Sequence, residues 1–128
     1  MNEILKIPFA VFDNDWDDLQ LFLKHRGNPP YEITDDLNLS FSKTESLGNL
    51  TSVEGDLSLH ISTIKDLGNL TSVGGYLYLY GSKIEDLGKL KYVGGDLILK
   101  HTTLLEKYTE EEIRSMIEIG GNIIYNPF

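Results

Sequence analysis

From residue 36 onward, leucines alternate with polar residues in short bursts that return at a fixed interval. Residues 36–55 read DLNLSFSKTESLGNLTSVEG, 56–75 read DLSLHISTIKDLGNLTSVGG, 76–95 read YLYLYGSKIEDLGKLKYVGG, and 96–104 begin again with DLILKHTTL. The period is 20 residues, without insertion. Leu37, Leu57, Leu77 and Leu97 fall in one column and Leu39, Leu59, Leu79 and Leu99 in another, the two-residue alternation of a strand with one buried face. Further along each unit, Leu47, Leu50, Val53 and their counterparts recur every three residues. That spacing predicts a tight turn or a loose 3₁₀-like return rather than a second strand. No unit of this size buries its own apolar face, so the units must stack and bring like residues into continuous ladders.

Two polar columns have structural work in such a stack. Ser42, Ser62, Ser82 and Thr102 follow the strands, where their hydroxyls are expected to bond inward-turning backbone groups in every unit. Gly55, Gly75 and Gly95 stand just before the strands and predict a positive-φ turn or a close approach between units, while Gly48, Gly68 and Gly88 punctuate the other corner. Both ends depart from the repeat. Residues 119–125 restore the VGGDLxL pattern as IGGNIIY, which predicts a further strand, but 26 rather than 20 residues after its predecessor. The extra length falls in TEEEIRSMIE, where Thr109 can cap a helix whose Ile113, Met116 and Ile117 form one apolar face. At the other end, Ile33 keeps the register of Val53. Upstream, Trp16, Leu19, Leu21, Phe22 and Leu23 predict a helix capped by Asp13, and EILKIPFAVF an extended edge segment interrupted by Pro8.

The strand segment LxLxx(S/T)x(I/L/T), as in Leu57, Leu59, Ser62 and Ile64, resembles the strand half of a leucine-rich repeat, LxLxxNxL. The return LGNLTSVGG is similar to the repeats of receptor L domains. Over roughly residues 33–125 the resemblance implies a repeat solenoid, mainly β with capping helices, wound as a right-handed stack of about five strands. It departs from the family in carrying Ser or Thr where Asn is usual and in a convex side too short for a full helix. The chain of 128 residues then divides as a single domain into an N-terminal cap with a helix (1–32), 20-residue repeats (33–104), and a C-terminal capping helix with the last strand (105–128).

Composition narrows the function classes. Eleven Lys and Arg against twenty Asp and Glu give a formal charge of −9, which opposes direct binding to nucleic acid or anionic lipid and leaves a basic protein surface open as a partner. There is no cysteine, hence no disulfide framework and no thiolate chemistry. The N-terminus MNEILKIPFAVFDNDWDD lacks the features of a secretory signal. No apolar run approaches the ~18 residues of a membrane span, so a cytoplasmic protein is expected.

No residue set carries convincing catalytic chemistry. Asp13 and Asp15 in AVFDNDWDD superficially match the DxD opening of metal-dependent phosphoryl transferases, but the chain has spent its length on repeats. His25, His60 and His101 have no metal-ligand spacing. The expectation is therefore a protein without enzymatic activity, cofactor or metal. What remains is the row of residues that alternate with the buried leucines and face outward, on the sheet face that is usually concave. Tyr76, Tyr78 and Tyr80 fill one unit of that row, flanked by Ser58 and His60 on one side and Ile98 and Lys100 on the other, with Phe41 and Ile61 at its edge. Tyrosine joins apolar contact area to a hydroxyl at low entropic cost and concentrates at binding hot spots. These residues predict a protein-binding face. A second copy of the chain is one candidate occupant, because tyrosine-rich faces also bury against each other in homodimers. The acidity raises an alternative, an inhibitor of the type phages encode, acting as a nucleic-acid decoy or channel blocker on a nucleic-acid-processing defence effector. Its charge is spread as −4 over 1–35, −2 over 36–95 and −3 over 96–128, with no dense stripe to imitate a phosphate backbone.

Overall fold

The computed structural model describes residues 4–124. In chain order these form β1 (Leu5–Ile7), a 3₁₀ turn (Phe9–Phe12), α1 (Trp16–Lys24), β2 (Tyr31–Ile33), β3 (Leu37–Asn38), β4 (Leu50–Val53), β5 (Leu57–Ser58), β6 (Ser72–Val73), β7 (Leu77–Tyr78), β8 (Tyr92–Val93), β9 (Leu97–Ile98), α2 (Leu104–Lys107), α3 (Glu110–Met116), β10 (Glu118–Ile119) and β11 (Ile123–Ile124). The strands build two parallel sheets, one of five strands in the order β3-β5-β7-β9-β11 and one of six in the order β1-β2-β4-β6-β8-β10. Leu57 pairs with Leu77 and Leu77 with Leu97, so the 20-residue period of the sequence is the register of the sheet. Stacked short parallel strands at a fixed repeat are compatible with a repeat solenoid.

The second sheet corrects the expectation of one strand per unit. Ser52 and Val53 pair with Ser72 and Val73, and these with Tyr92 and Val93. Once the leucine ladders hold successive units one strand separation apart, any stretch of extended backbone meets its copy and completes a parallel ladder. These strands are mostly two residues long between corners, too short for an alternation to emerge from the three-residue spacing of Leu70 and Val73. Between the sheets, Leu57, Leu59, Leu77, Leu79, Leu97 and Leu99 from one and Leu70, Val73 and Val93 from the other are fully buried. Each such side chain contributes about 2 kcal/mol through removal from water.

The hydroxyl column is only partly a ladder. Ser62 and Thr102 donate to the carbonyls of Leu59 and Leu99 at 2.8 and 2.7 Å, but Ser42 instead accepts from the Thr44 amide, and the buried Ser82 hydroxyl has no hydrogen-bond partner. The two glycine columns separate by cause. Gly48, Gly68 and Gly88 have φ near +60°, where an L side chain is disfavoured. Gly55, Gly75 and Gly95 do not have positive φ; a Cβ there would instead crowd the backbone of the unit before, at Asp35, Gly55 or Gly75, so at that corner it is close approach that excludes a side chain.

The ends differ in detail from their sequence reading. β1 pairs in parallel with β2, and Ile33 pairs with Val53 as its register requires. After Pro8, the extended segment gives way to the 3₁₀ turn, because the Phe9 and Ala10 amides turn toward the Asp35 carboxylate, at 2.6 and 3.1 Å. The cap of α1 is Asp15, which accepts from the Asp18 amide; Asp13, with φ of 53°, is a left-handed turn residue two positions too early to do so. Leu19 and Leu23 bury one face of α1, and Gln20 and the Leu47 carbonyl bracket the Tyr31 hydroxyl beneath it. Burial pushes the Tyr31 phenol up to about 12, against the opposing Gln20 hydrogen bond.

At the other end Thr109 and Glu112 form a reciprocal capping box on α3. Ile113 and Ile117 are buried but Met116 is 43 % exposed. The helix stops at Met116, and Ile117 is already extended, so its burial follows the strand rather than the helical face that would have included Met116. β11 pairs with β9 as Ile123 with Leu97, across the predicted 26-residue offset. Tyr125, at the end of the IGGNIIY match, lies outside the described residues. Among the described residues no helix is long and apolar enough to cross a membrane.

Candidate interaction surface

The five-stranded sheet turns its leucines inward and its intervening residues outward. Beyond the two-residue strands the ladder continues. The Leu57, Leu59 and Ile61 amides donate to the carbonyls of Tyr76, Tyr78 and Tyr80 at 2.8 to 2.9 Å, and the Leu77, Leu79 and Gly81 amides to those of Asp96, Ile98 and Lys100 at 2.9 to 3.0 Å. Apart from Phe41 and Ile61 at the edge, each residue singled out on this face is therefore held by its own backbone carbonyl in one of three columns. Asp56, Tyr76 and Asp96 share the first, Ser58, Tyr78 and Ile98 the second, and His60, Tyr80 and Lys100 the third.

The aromatic side chains join into one line. Tyr76 lies edge-on to Tyr78 with ring centroids 5.8 Å apart, and Tyr78 is tilted against His60 at 5.1 Å. His60 meets Tyr80 at 5.9 Å, and Tyr80 meets His101 edge-on at 5.2 Å. His60 and His101 thus bracket Tyr80. His101 is not a strand residue. It occupies the corner after the strand with φ of 57°, which swings its ring back over Tyr80. Tyr76 and Tyr80 are 43 % and 36 % exposed, and the His60 Nδ1 is buried without a hydrogen-bond partner. Ser58 is engaged with the Ser40 hydroxyl at 2.5 Å. Ile98 pairs beside Tyr78 in the sheet register.

The first column contains a device that the sequence reading missed. Asp36 accepts from the Asp56 amide, Asp56 from the Tyr76 amide and Asp96 from the Asn122 amide, each at 2.8 Å. Each carboxylate reaches its target amide by lying over the glycine that immediately precedes it. A Cβ on Gly55, Gly75 or Gly121 would collide with Asp36, Asp56 or Asp96 respectively. This explains the glycine that precedes each of these strands. The signal was the shared register of Asp36, Asp56 and Asp96 one residue after that glycine column. Tyr76 interrupts the ladder: it has no carboxylate, and its ring covers Gly95 in place of one.

Electrostatically the face is aromatic and negative. Burial first, and then the charges of Asp56, Tyr76, Asp96 and Asp36, hold the Tyr78 phenol above its ordinary range. Among the described residues the one ion pair is Arg114 with Glu110, far along the chain on α3, so none of the three aspartates is neutralised by a neighbour.

The edge of the face carries its own cost. Phe41, Ile61, Gly81 and His101 take the same corner position with φ of 61°, 47°, 66° and 57°. For a bulky or β-branched residue that region is unfavourable by about 1 kcal/mol or more. Phe41 is nonetheless 74 % and Ile61 49 % exposed, so burial does not repay the strain.

The other sequence candidates are not brought to this face. Asp13 and Asp15 line an open cleft of about 720 Å³ with Trp16, Lys43 and Glu45. Among the described residues no group of three His, Asp or Glu side chains is arranged to hold a metal ion. His25 ends α1. No protein-family model matches the chain, and comparison with curated proteins and with solved structures finds no match either.

Proposed function

We propose that the protein is a leucine-rich-repeat-like, right-handed solenoid that acts without catalysis, as an interaction module binding a protein partner through the outward face of its five-stranded sheet. The observation that carries this reading is the unbroken line of rings from Tyr76 through Tyr78, His60 and Tyr80 to His101, exposed at Tyr76, Tyr80 and His101 and half-buried between them, on a backbone held by ladder hydrogen bonds. A rigid platform of this kind orders no loops on binding, so little of its contact energy is lost to entropy. Strained, solvent-facing Phe41 and Ile61 extend the same face, as expected where side chains are kept for contact rather than for folding. Ser58, Ile98 and Lys100 form the rim. The test is affinity capture from cells with quantitative mass spectrometry. Tyr78→Ala with Tyr80→Ala should leave the melting transition in place and weaken capture of the partner by on the order of 2 kcal/mol. Undiminished capture by the double variant rejects the reading.

A second reading is favoured by the charge of −9 and by the column of Asp36, Asp56 and Asp96 on the outward face, namely an acidic inhibitor that occupies the nucleic-acid channel of a processing enzyme. It ranks lower because Tyr76 interrupts the column. Under this reading binding weakens steeply with added salt, whereas a contact dominated by the aromatic row depends on salt only weakly.

A further inference from the structure

We infer that the outward face recognises an arginine side chain in an extended segment of its protein partner, the guanidinium lying against Tyr76 and Tyr78 with its N–H groups directed to Asp56 and Asp96. This deepens the interaction reading and rests on it.

Three observations converge on a cation. Asp56 and Asp96 occupy the same column as Tyr76 in the units on either side, about 5 Å away at the separation of parallel strands. Each spends one carboxylate oxygen on a backbone amide of the next unit, which fixes its position, while the other oxygen has no hydrogen bond among the described residues. Neither has a cationic partner, since the single ion pair of the described residues lies on α3. The combined field reaches the ring system: the same aspartates disfavour ionisation of Tyr78, in addition to its burial. A surface with aromatic faces between two immobilised, unneutralised carboxylates is complementary to a delocalised cation.

Arginine fits better than lysine. Its guanidinium is planar, so it can stack on a phenol ring and direct in-plane N–H groups to carboxylates on both sides, whereas an ammonium is a strongly hydrated point charge. The face also limits how many cations it accepts. Lys100 lies in the third column, about 13 Å along the strand from the first, in the unit next to Tyr80. A second positive residue in that direction meets Lys100. The predicted ligand is thus a single arginine with uncharged or acidic neighbours on that side, not a polybasic run.

The test uses the whole chain and a displayed library of short random peptides selected on it, the selected peptides being remade with citrulline, the neutral isostere, for arginine. The protein carries isotope-labelled tyrosine rings. Arginine should be enriched, the ring signals of Tyr76 and Tyr78 should move on titration, and citrulline should weaken binding about tenfold. Asp56→Asn with Asp96→Asn should weaken binding to a similar degree, because asparagine keeps the acceptor for the Tyr76 and Asn122 amides but removes the charge. Selected peptides that move these rings but lack arginine, or that bind equally with citrulline, overturn the arginine assignment and leave the interaction face standing. Binders that move no ring on the face, or a selection that yields none dependent on Tyr76, overturn both.

Discussion

The units beginning at Asp56 and at Tyr76 are the same object on the inside and different ones on the outside. Leu57 and Leu59 are as completely buried as Leu77 and Leu79, and both units donate three ladder hydrogen bonds at matching positions. Outside, Asp56, Ser58 and His60 become Tyr76, Tyr78 and Tyr80. The change also gives something up, since Asp56 bonds the next unit through its carboxylate and Tyr76 does not. Stacking therefore dictates the inward residues and leaves the outward ones open to another demand. In the third unit the outward row is aromatic, at the expense of a hydrogen bond to a charged group.

The largest expected effect probes the shared interior. Leu57→Ala and Leu77→Ala should each cost about 3 kcal/mol in denaturant unfolding, because both delete a fully buried side chain from a continuous ladder. Unequal losses would mean that the two units are not equivalent inside.

A smaller effect separates a buried tyrosine from the displayed ones. The Tyr31 phenol is raised to about 12 in the folded state against 10.0 unfolded, so above pH 10 the unfolded chain loses a proton that the folded chain keeps. Tyr31 therefore leaves stability intact below pH 10 and removes on the order of 2 kcal/mol as the pH climbs toward 12. Between pH 10 and 12 the stability of wild type should fall more steeply with pH than that of Tyr31→Phe, which lacks this proton linkage. Identical slopes would contradict the assigned burial effect.

The smallest effect acts on the contrast itself. Tyr76→Asp should restore the carboxylate column across the third unit and raise stability by about 1 kcal/mol through a charge-assisted hydrogen bond to the Asp96 amide, reduced by repulsion from Asp56 and Asp96. The same variant should bind partner less well. A thermal melt and a binding isotherm on one protein read both.

Much of this architecture was legible in the sequence because a repeat states the same physical requirement several times. The LxL columns, the register of Ile33 with Val53 and the 26-residue offset of Ile123 all follow from stacking alone. The second sheet was not legible, for strands as short as Ser72–Val73 leave no alternation to read. The N-cap moved from Asp13 to Asp15 because several acids compete within one turn, and backbone angle rather than residue type decides among them. On the outward face, alternation identified Tyr76, Tyr78 and Tyr80. It could not reveal that His101 folds back from a left-handed corner onto Tyr80, since that contact depends on a single φ value. The sequence shows a glycine before each strand, but only geometry ties Gly55, Gly75 and Gly121 to the aspartate that lies over each of them.

The most direct test of the account is site-specific photo-crosslinking in cells, with a benzophenone amino acid placed at position 78 on one sheet or at position 92 on the other. Tyr78 and Tyr92 are both outward tyrosines of the repeat region, so the two positions differ mainly in which sheet displays them. A discrete crosslinked species from position 78, with none from position 92, is the predicted result. Crosslinking from position 92 alone, or equally from both, would contradict a binding face on the five-stranded sheet.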